Sequence, residues 1–495
     1  MKSRLILTIA LAVALAGCGA FGPPRDPPHI PTSPNYSLAA PPAQLPTADG
    51  VAQQLAQNAP PIRQWWKEYQ SEELDSMVEE ALANSPSLAA AQSNLKAARE
   101  ALRSQVGNSL VPSVDLAASP NRERALGIPV PPHESFIENI FVADVQASYT
   151  FDFFGAAVLA DRALARQVQE QALQLESTRR ALATNVVMAA INAASLDAQI
   201  DAVSELIAAT EERARRTAAR YRVGSAGRDD MLAAEADAAN AAATLPPLRA
   251  QLLAVRHAQA VLLGRRPDQA PAPLPLVSLH LPETIPVSVP TELLHQRPDI
   301  LAAEAAVHSA ADQAGAATAS MFPSLSLSAS YGRGGFDWST FSSPAGVIWG
   351  VGAQLTQPLF HGGALMARRR QYQANYEAAV SQYKLTVISA FRSVADTLVS
   401  LEEDAHTLDA TRRAAEAARA LEQDSDARYR LGSLPLFAVL SAREQYQNAA
   451  VQDARARAAR LADSAALFDA MGEPTPRHAP NAPHPPSAST LDAGR

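Results

Sequence analysis

The stretch FVADVQASYTFDF, Phe141 to Phe153, sorts its side chains by parity. Phe141, Ala143, Val145, Ala147, Tyr149, Phe151 and Phe153 are apolar, and Asp144, Gln146, Ser148, Thr150 and Asp152 between them are polar. Successive side chains of an extended chain point to opposite sides, so the stretch predicts a strand with one greasy and one wet face. A half-buried strand of a soluble sandwich carries the same pattern. The length favours a membrane: about 9 to 11 tilted residues span the hydrocarbon layer, with apolar side chains towards lipid and polar ones towards a lumen.

The same pattern returns on either side. VPSVDLAAS begins at Val111 and FPSLSLSAS at Phe322, where Leu325, Leu327, Ala329 and Tyr331 alternate with serines. Val347, Trp349, Val351, Ala353 and Leu355 alternate with Gly350, Gly352, Gln354 and Thr356. Strands are therefore expected at about 111–119, 141–153, 323–331 and 347–357. Four strands cannot close a barrel, for which about eight is the practical minimum. Open edges in lipid cost several kcal/mol for each unpaired backbone group, so copies must pool their strands. Strand counting allows an eight-stranded dimer or a twelve-stranded trimer.

Each second strand runs into a long proline-free segment, expected as helices over 156–223 and 363–431. In the first, Val168, Leu175, Leu182, Ala189, Leu196 and Val203 recur every seven residues. Ala172, Arg179, Val186, Ala193, Ile200 and Ile207 follow four residues behind, a coiled-coil seam interrupted by Arg179. At about 1.5 Å per residue such a helix is about 100 Å long. Val380, Val387, Val394, Leu401 and Leu408 repeat the plan in the second half.

Both long segments stop on nearly the same six residues, RYRVGS (Arg220–Ser225) and RYRLGS (Arg428–Ser433). Return helices are expected over 226–264 and 434–471. Gly224 and Gly432 permit the left-handed turn that ends a helix, and Ser225 and Ser433 suit the cap of the next. Pro246-Pro247 predicts a kink in the first return arm only. The chain is thus a duplicated strand–helix unit: a first repeat over 63–267, a linker over 268–290 and a second repeat over 291–474. Proline-rich segments flank it at 18–62 and 475–495.

The N-terminus MKSRLILTIALAVALAGCGA has Lys2 and Arg4 before an apolar run too short to span a bilayer, then Leu-Ala-Gly-Cys. Residues 1–17 read as a lipoprotein signal peptide, and Cys18, the single cysteine, as the lipid (palmitate) attachment point of an exported, outer-membrane protein. Aromatics are only 5% and the net charge is −8, with no basic stripe for nucleic acid. His133, His308, His361 and His406 lack metal-ligand spacing, and Gly332, Gly334 and Gly335 lack the strand-to-helix context of a phosphate loop. The glycines are expected in a loop between barrel strands. No catalytic constellation, metal or cofactor is expected.

Several segments resemble one family. QWWKEYQSEELDSMVEEAL (Gln64–Leu82), LLHQRPDILAAEAAV (Leu293–Val307), FDFFG (Phe151–Gly155) and QPLFHGG (Gln357–Gly363) are similar to the outer membrane efflux proteins, TolC-like. Within them the resemblance is to the NodT-like lipoprotein outer membrane factors of resistance-nodulation-division efflux systems. It covers about residues 64 to 474. It implies a mixed fold, an all-α coiled coil plus a transmembrane β-barrel: a homotrimer with a twelve-stranded outer-membrane barrel, continued by a long periplasmic α-helical tunnel. It implies a passive duct for small toxic compounds, fed by a periplasmic membrane-fusion adaptor and an inner-membrane proton-driven transporter. By similarity, Tyr221, Arg222, Gly224 and Ser225 with Arg428, Arg430, Gly432 and Ser433 are the adaptor-contacting hairpin tips. Phe437 and Ser441 fall where the family narrows its tunnel. Many members carry Asp at the position of Ser441, so Asp229 and Asp230 become alternative sources of a negative constriction. A type I secretion duct and a non-conducting periplasmic scaffold lipoprotein remain as alternative functions.

Overall fold

The computed structural model describes residues 22–24, 27–33, 35–36, 42–47, 50–126 and 135–472. Cys18 and the signal peptide lie outside these residues, as do His133 and the tail from 473. In chain order the elements are β1 (Gln54–Gln57), α1 (Glu72–Asn84), α2 (Pro86–Leu110), β2 (Ser113–Leu126), β3 (Ser135–Phe151), α3 (Ala156–Arg222) and α4 (Arg228–Leu262). After the linker come β4 (Thr284–Val287), α5 (Pro290–Gln296), α6 (Pro298–Ala319), β5 (Ser324–Gly335), α7 (Trp338–Ser342), β6 (Val347–Thr356), α8 (Ala364–Arg430) and α9 (Leu436–Met471). They form two compact units.

One unit, built on Ser93–Ala172 and Ala302–Leu385, carries a four-stranded sheet in the order β2-β3-β5-β6. All its pairings are antiparallel, and β3 pairs with β5 of the other repeat. The hairpin of β2 and β3 extends past the expected limits at 119 and 141, because backbone pairing continues where the apolar alternation stops. β3 ends at Phe151 rather than 153: the Asp152 carboxylate instead accepts the N–H of Val158 at 2.9 Å in the first turn of α3. β5 continues to Gly335, so Gly332, Gly334 and Gly335 belong to the strand and not to a loop. The cause is visible at Gly332, where a Cβ would stand 2.2 Å from the carbonyl oxygen of Ala143 on β3. No larger residue lets the strands lie at that distance.

The second unit holds Pro31–Gln92, Leu173–Leu301 and the described chain from Thr386 on. Here the proline-rich segment 18–62 and the linker 268–290 supply a parallel pair, β1 with β4, in the register Leu55↔Ile285. Leu55 and Ile285 are buried, and the Gln53 side chain donates to the Pro282 carbonyl at 2.8 Å. Nearby, Trp65 stacks on Phe468 of α9 with ring centroids 5.4 Å apart, and the Tyr69 hydroxyl donates to the Leu461 carbonyl at 2.7 Å. Helix α1 starts at the cap Ser71, whose hydroxyl accepts the N–H of Leu74, with Glu72, Glu73 and Asp75 in its first turn.

The heptad seam of α3 packs in this unit as its spacing requires. Leu196 and Val203 join Leu248 of α4 and Val451 of α9 in one apolar cluster, so both return arms share one long helix. Val387, Val394, Leu401 and Leu408 of α8 are fully buried. Arg179, which breaks the seam in sequence, is exposed, while its neighbour Arg180 is the buried one. Arg180 pairs with Asp469 of α9 at 3.1 Å, and Thr184 donates to the same carboxylate at 3.0 Å. Helix α4 runs uninterrupted through Pro246 and Pro247. The helix ends differ slightly from the expected 223, 226, 363, 431 and 434, because the connecting turns consume a few more residues.

Candidate functional site

Residues directly opposite one another in an antiparallel ladder share a face, so the register divides the sheet into two surfaces. Val114, Ala147, Ala329 and Val351 lie in one row, and Leu116, Val145, Tyr331 and Trp349 in the next. The rows below hold Tyr149, Leu327 and Ala353, then Phe151, Leu325 and Leu355. Most of these side chains are exposed, Val351 and Leu116 by 78% and Trp349 by 74%, while Ala147, Tyr149 and Leu325 are half-buried. A continuous apolar face of that kind needs an apolar solvent. The opposite face carries Ser113, Ser148, Ser328 and Gly352 in one row, and Asp115, Gln146, Ser330 and Gly350 in the next. Small polar side chains leave room for a wide aqueous passage. Strands β2 and β6 are the two edges of the sheet. A lipid-facing sheet with free edges must pair them with further copies.

The two hairpin ends are built alike. At the first, the N–H of Gly224 bonds the Tyr221 carbonyl at 2.9 Å and that of Ser225 the Arg220 carbonyl at 2.8 Å. At the second, Gly432 bonds Tyr429 at 2.8 Å and Ser433 bonds Arg428 at 2.9 Å. This pair of backward bonds closes a helix C-terminus through a left-handed glycine, and both glycines have φ of 75°. The serines differ from expectation. Their hydroxyls donate back to the Arg220 and Arg428 carbonyls, so they finish the preceding helix. The cap of α4 is Gly227, whose N–H is taken by the Asp230 carboxylate at 3.1 Å, and that of α9 is Pro435. Tyr221, Arg222, Arg428 and Arg430 are all exposed at these ends.

The ends are also unequal. Arg220 folds over its own turn to the Ser225 carbonyl, whereas Arg428 and Arg430 pair along their helix with Asp424 and Asp426. Asp229 and Asp230 are exposed in the first turn of α4, where the helix dipole favours them. Phe437 is half-exposed in the first turn of α9, and Ser441 is one turn further on and partly buried. Phe437 is not isolated: the Arg213 guanidinium stands 5.8 Å from its ring centroid. Arg213 also binds Glu444 of α9 at 2.9 Å and Asp237 of α4, joining three helices. Arg213 is one of three arginines in RARR, and the sequence gives no signal of this. Between α3 and α4, Ala214, Ala218 and Ala238 floor a groove edged by Glu211, Arg215 and Glu235.

A second polar cluster was equally hidden in the sequence. Arg460 of α9 is fully buried and donates to the Leu401 carbonyl of α8. Burial and the neighbouring Asp404 carboxylate push Asp463 up to about 6, and burial pushes Arg460 down to about 10. A signal existed only in combination, an Asp on each of two heptad helices whose pairing the sequence leaves open.

Comparisons with known proteins agree with this geometry. The family model of the outer membrane efflux protein matches residues 77–265 and 289–473. The chain is 29% identical to the pyoverdine export outer membrane protein OpmQ of Pseudomonas aeruginosa, over 95% of this chain and 97% of that one. It is 28% identical to the antibiotic efflux pump outer membrane protein ArpC of Pseudomonas putida, over 95% of each. Among solved structures, the Campylobacter jejuni CmeC outer membrane channel superposes with a TM-score of 0.79 at 23% identity, covering 91% of this chain and 94% of that one, which speaks to the fold.

Proposed function

The chain belongs to the outer membrane efflux protein family, and from that premise we propose that it works as the passive duct of a tripartite efflux pump. It is an outer-membrane channel whose fold joins a β-barrel to a periplasmic helical tunnel. The observation that carries the proposal is the two-faced sheet, whose exposed apolar rows demand lipid while its serine and glycine rows offer water a path. Three copies pool their strands into twelve, each β6 edge pairing with the β2 edge of the next chain. Cys18 carries the lipid anchor.

The hairpin ends at Tyr221–Ser225 and Arg428–Ser433 dock a periplasmic membrane-fusion adaptor, which links the duct to a proton-driven inner-membrane transporter. Their exposure and shared closing geometry support this, as does the alanine-floored groove with charged rims beside the first end. The Phe437 and Ser441 positions, with Asp229 and Asp230, form the narrow end of the tunnel. By analogy with pyoverdine export and antibiotic efflux in relatives, the cargo is small organic compounds. Deleting the gene and measuring susceptibility to antibiotics, detergents and organic acids tests the proposal: sensitisation to some of them is expected. Unchanged susceptibility in a strain lacking other ducts of this family counts against it. Conductance of the purified protein in planar bilayers excludes the non-conducting scaffold.

A further inference from the structure

We propose that the outward face of the upper barrel rim binds the phosphate-bearing headgroups of outer-leaflet lipid, through Arg122 and Arg124. The inference rests on the sheet closing into a membrane barrel, as read above. Its observation is separate: the strands sort their charges by face. On the apolar face the charged residues of β2, β3, β5 and β6 are Arg122, Arg124 and Arg333, all cations. On the polar face they are Asp115, Glu123, Glu138 and Asp144, all carboxylates.

Arg122 and Arg124 also stand together at one end of that face, with Arg333 lower. The apolar face ends in an aromatic group: Phe141 lies 6.2 Å from the rings of both Trp338 and Phe341, and Phe336 and Trp338 are about two-thirds exposed. Aromatic girdles of this kind mark the edge of the hydrocarbon layer. From the Phe151 row to the Phe141 row is ten residues of β3, about 33 Å along a strand and about 25 Å of height at the usual tilt. That is the thickness of an apolar band. Arg122 and Arg124 lie opposite Asn139 and Ile137, the next rungs beyond Phe141 on the same face. Arg333 lies lower, opposite Ala143 and one rung inside the Phe141 row, and its guanidinium reaches the Ser342 carbonyl at 2.6 Å in the loop that carries the aromatic group. All three arginines are exposed, and Arg124 is steadied by its Nε donating to Ser135 Oγ at 2.8 Å.

The Arg122 and Arg124 guanidinium groups, just outside the hydrocarbon edge and with no carboxylate on their own face, are matched by phosphate oxygens held at that level. Each can donate two parallel hydrogen bonds to one phosphate. Cations serving only solubility would have no reason to avoid the lumen face or carboxylates to keep to it.

The test uses the full-length trimer in non-ionic detergent, checked for conductance in planar bilayers, and a fluorescent diphosphoryl lipid A as probe. Binding is expected to weaken as salt rises and to fall about fivefold for each arginine removed, so roughly 25-fold in R122Q/R124Q, with conductance retained. Should the double variant fail to form conducting trimers, R122Q and R124Q alone are each expected to show the fivefold loss. Equal affinity in wild type and a conducting variant overturns the proposal. So does equal binding of dephosphorylated lipid A, or inorganic phosphate competing as well as the lipid, which would leave a phosphate site without lipid. Absence of conductance in the wild type would instead strike the barrel reading.

Discussion

Arg213 of α3 and Glu444 of α9 face each other at 2.9 Å, and the same guanidinium holds Asp237 of α4 and covers the ring of Phe437. One side chain thereby ties the long helix to both return arms near the hairpin ends. Arg213→Ala leaves the half-buried Glu444 without its cation, and burial already raises that carboxyl above the usual range. A local loss of about 2 kcal/mol is expected. Hydrogen exchange should show faster opening in the first turns of α4 and α9 and no change in the strands.

The turns at Gly224 and Gly432 require φ of 75°, so Gly224→Ala and Gly432→Ala are each expected to cost about 1 kcal/mol. Beyond Ser225 the chain reads Ala-Gly-Arg-Asp-Asp, and beyond Ser433 it reads Leu-Pro-Leu-Phe. Ends so different should not contribute equally to the proposed docking. Glutamine substitutions at Tyr221, Arg222, Arg428 and Arg430, read as drug susceptibility, are expected to split into a sensitive and a tolerant end. Equal effects at both would count against an asymmetric docking.

The carboxylates of the polar face set the sign of the passage. Glu123 and Glu138 are directly opposed, a like-charge pair that costs stability, and Asp115 and Asp144 lie below them. A barrel lined this way concentrates cations. Reversal potentials in a potassium chloride gradient should therefore favour potassium. Replacing Asp115, Glu123, Glu138 and Asp144 with their amides should shift the potential towards zero.

The Asp463 carboxyl titrates at about 6 in the folded protein, above its ordinary 3.8, first because it is buried and then because Asp404 repels it. Between about pH 4 and 6 the folded state thus holds a proton that the unfolded chain has released. The stability this contributes is full below about pH 4 and is lost as pH rises through about 6. Asp463→Asn should raise the unfolding free energy at pH 7.5, by about 1 kcal/mol after allowing for partial solvation, and change it little at pH 4.5. Thermal unfolding at the two pH values checks this.

Much of the architecture was legible because it is periodic. The parity of Phe141–Phe153 requires a two-faced strand, the heptads from Val168 to Val203 require a buried seam, and Gly224 and Gly432 mark the turns. Local geometry alone writes those signals. The parallel pairing of Leu55 with Ile285 and the stacking of Trp65 on Phe468 were not legible, since each joins segments far apart in the chain. The serines of the turns were misread because a hydroxyl can serve either helix that it separates, and only the backbone path shows which carbonyl it reaches.

By itself the sequence determined that the chain is a duplicated strand–helix unit with a lipid-facing and a water-facing sheet surface, because face and repeat follow from residue spacing. Only the tertiary structure decided which charges share a face, which helices Arg213 joins and why the Asp463 carboxyl is pushed up. Those are matters of distance between residues that the chain itself separates, and electrostatic interaction depends on that distance in space.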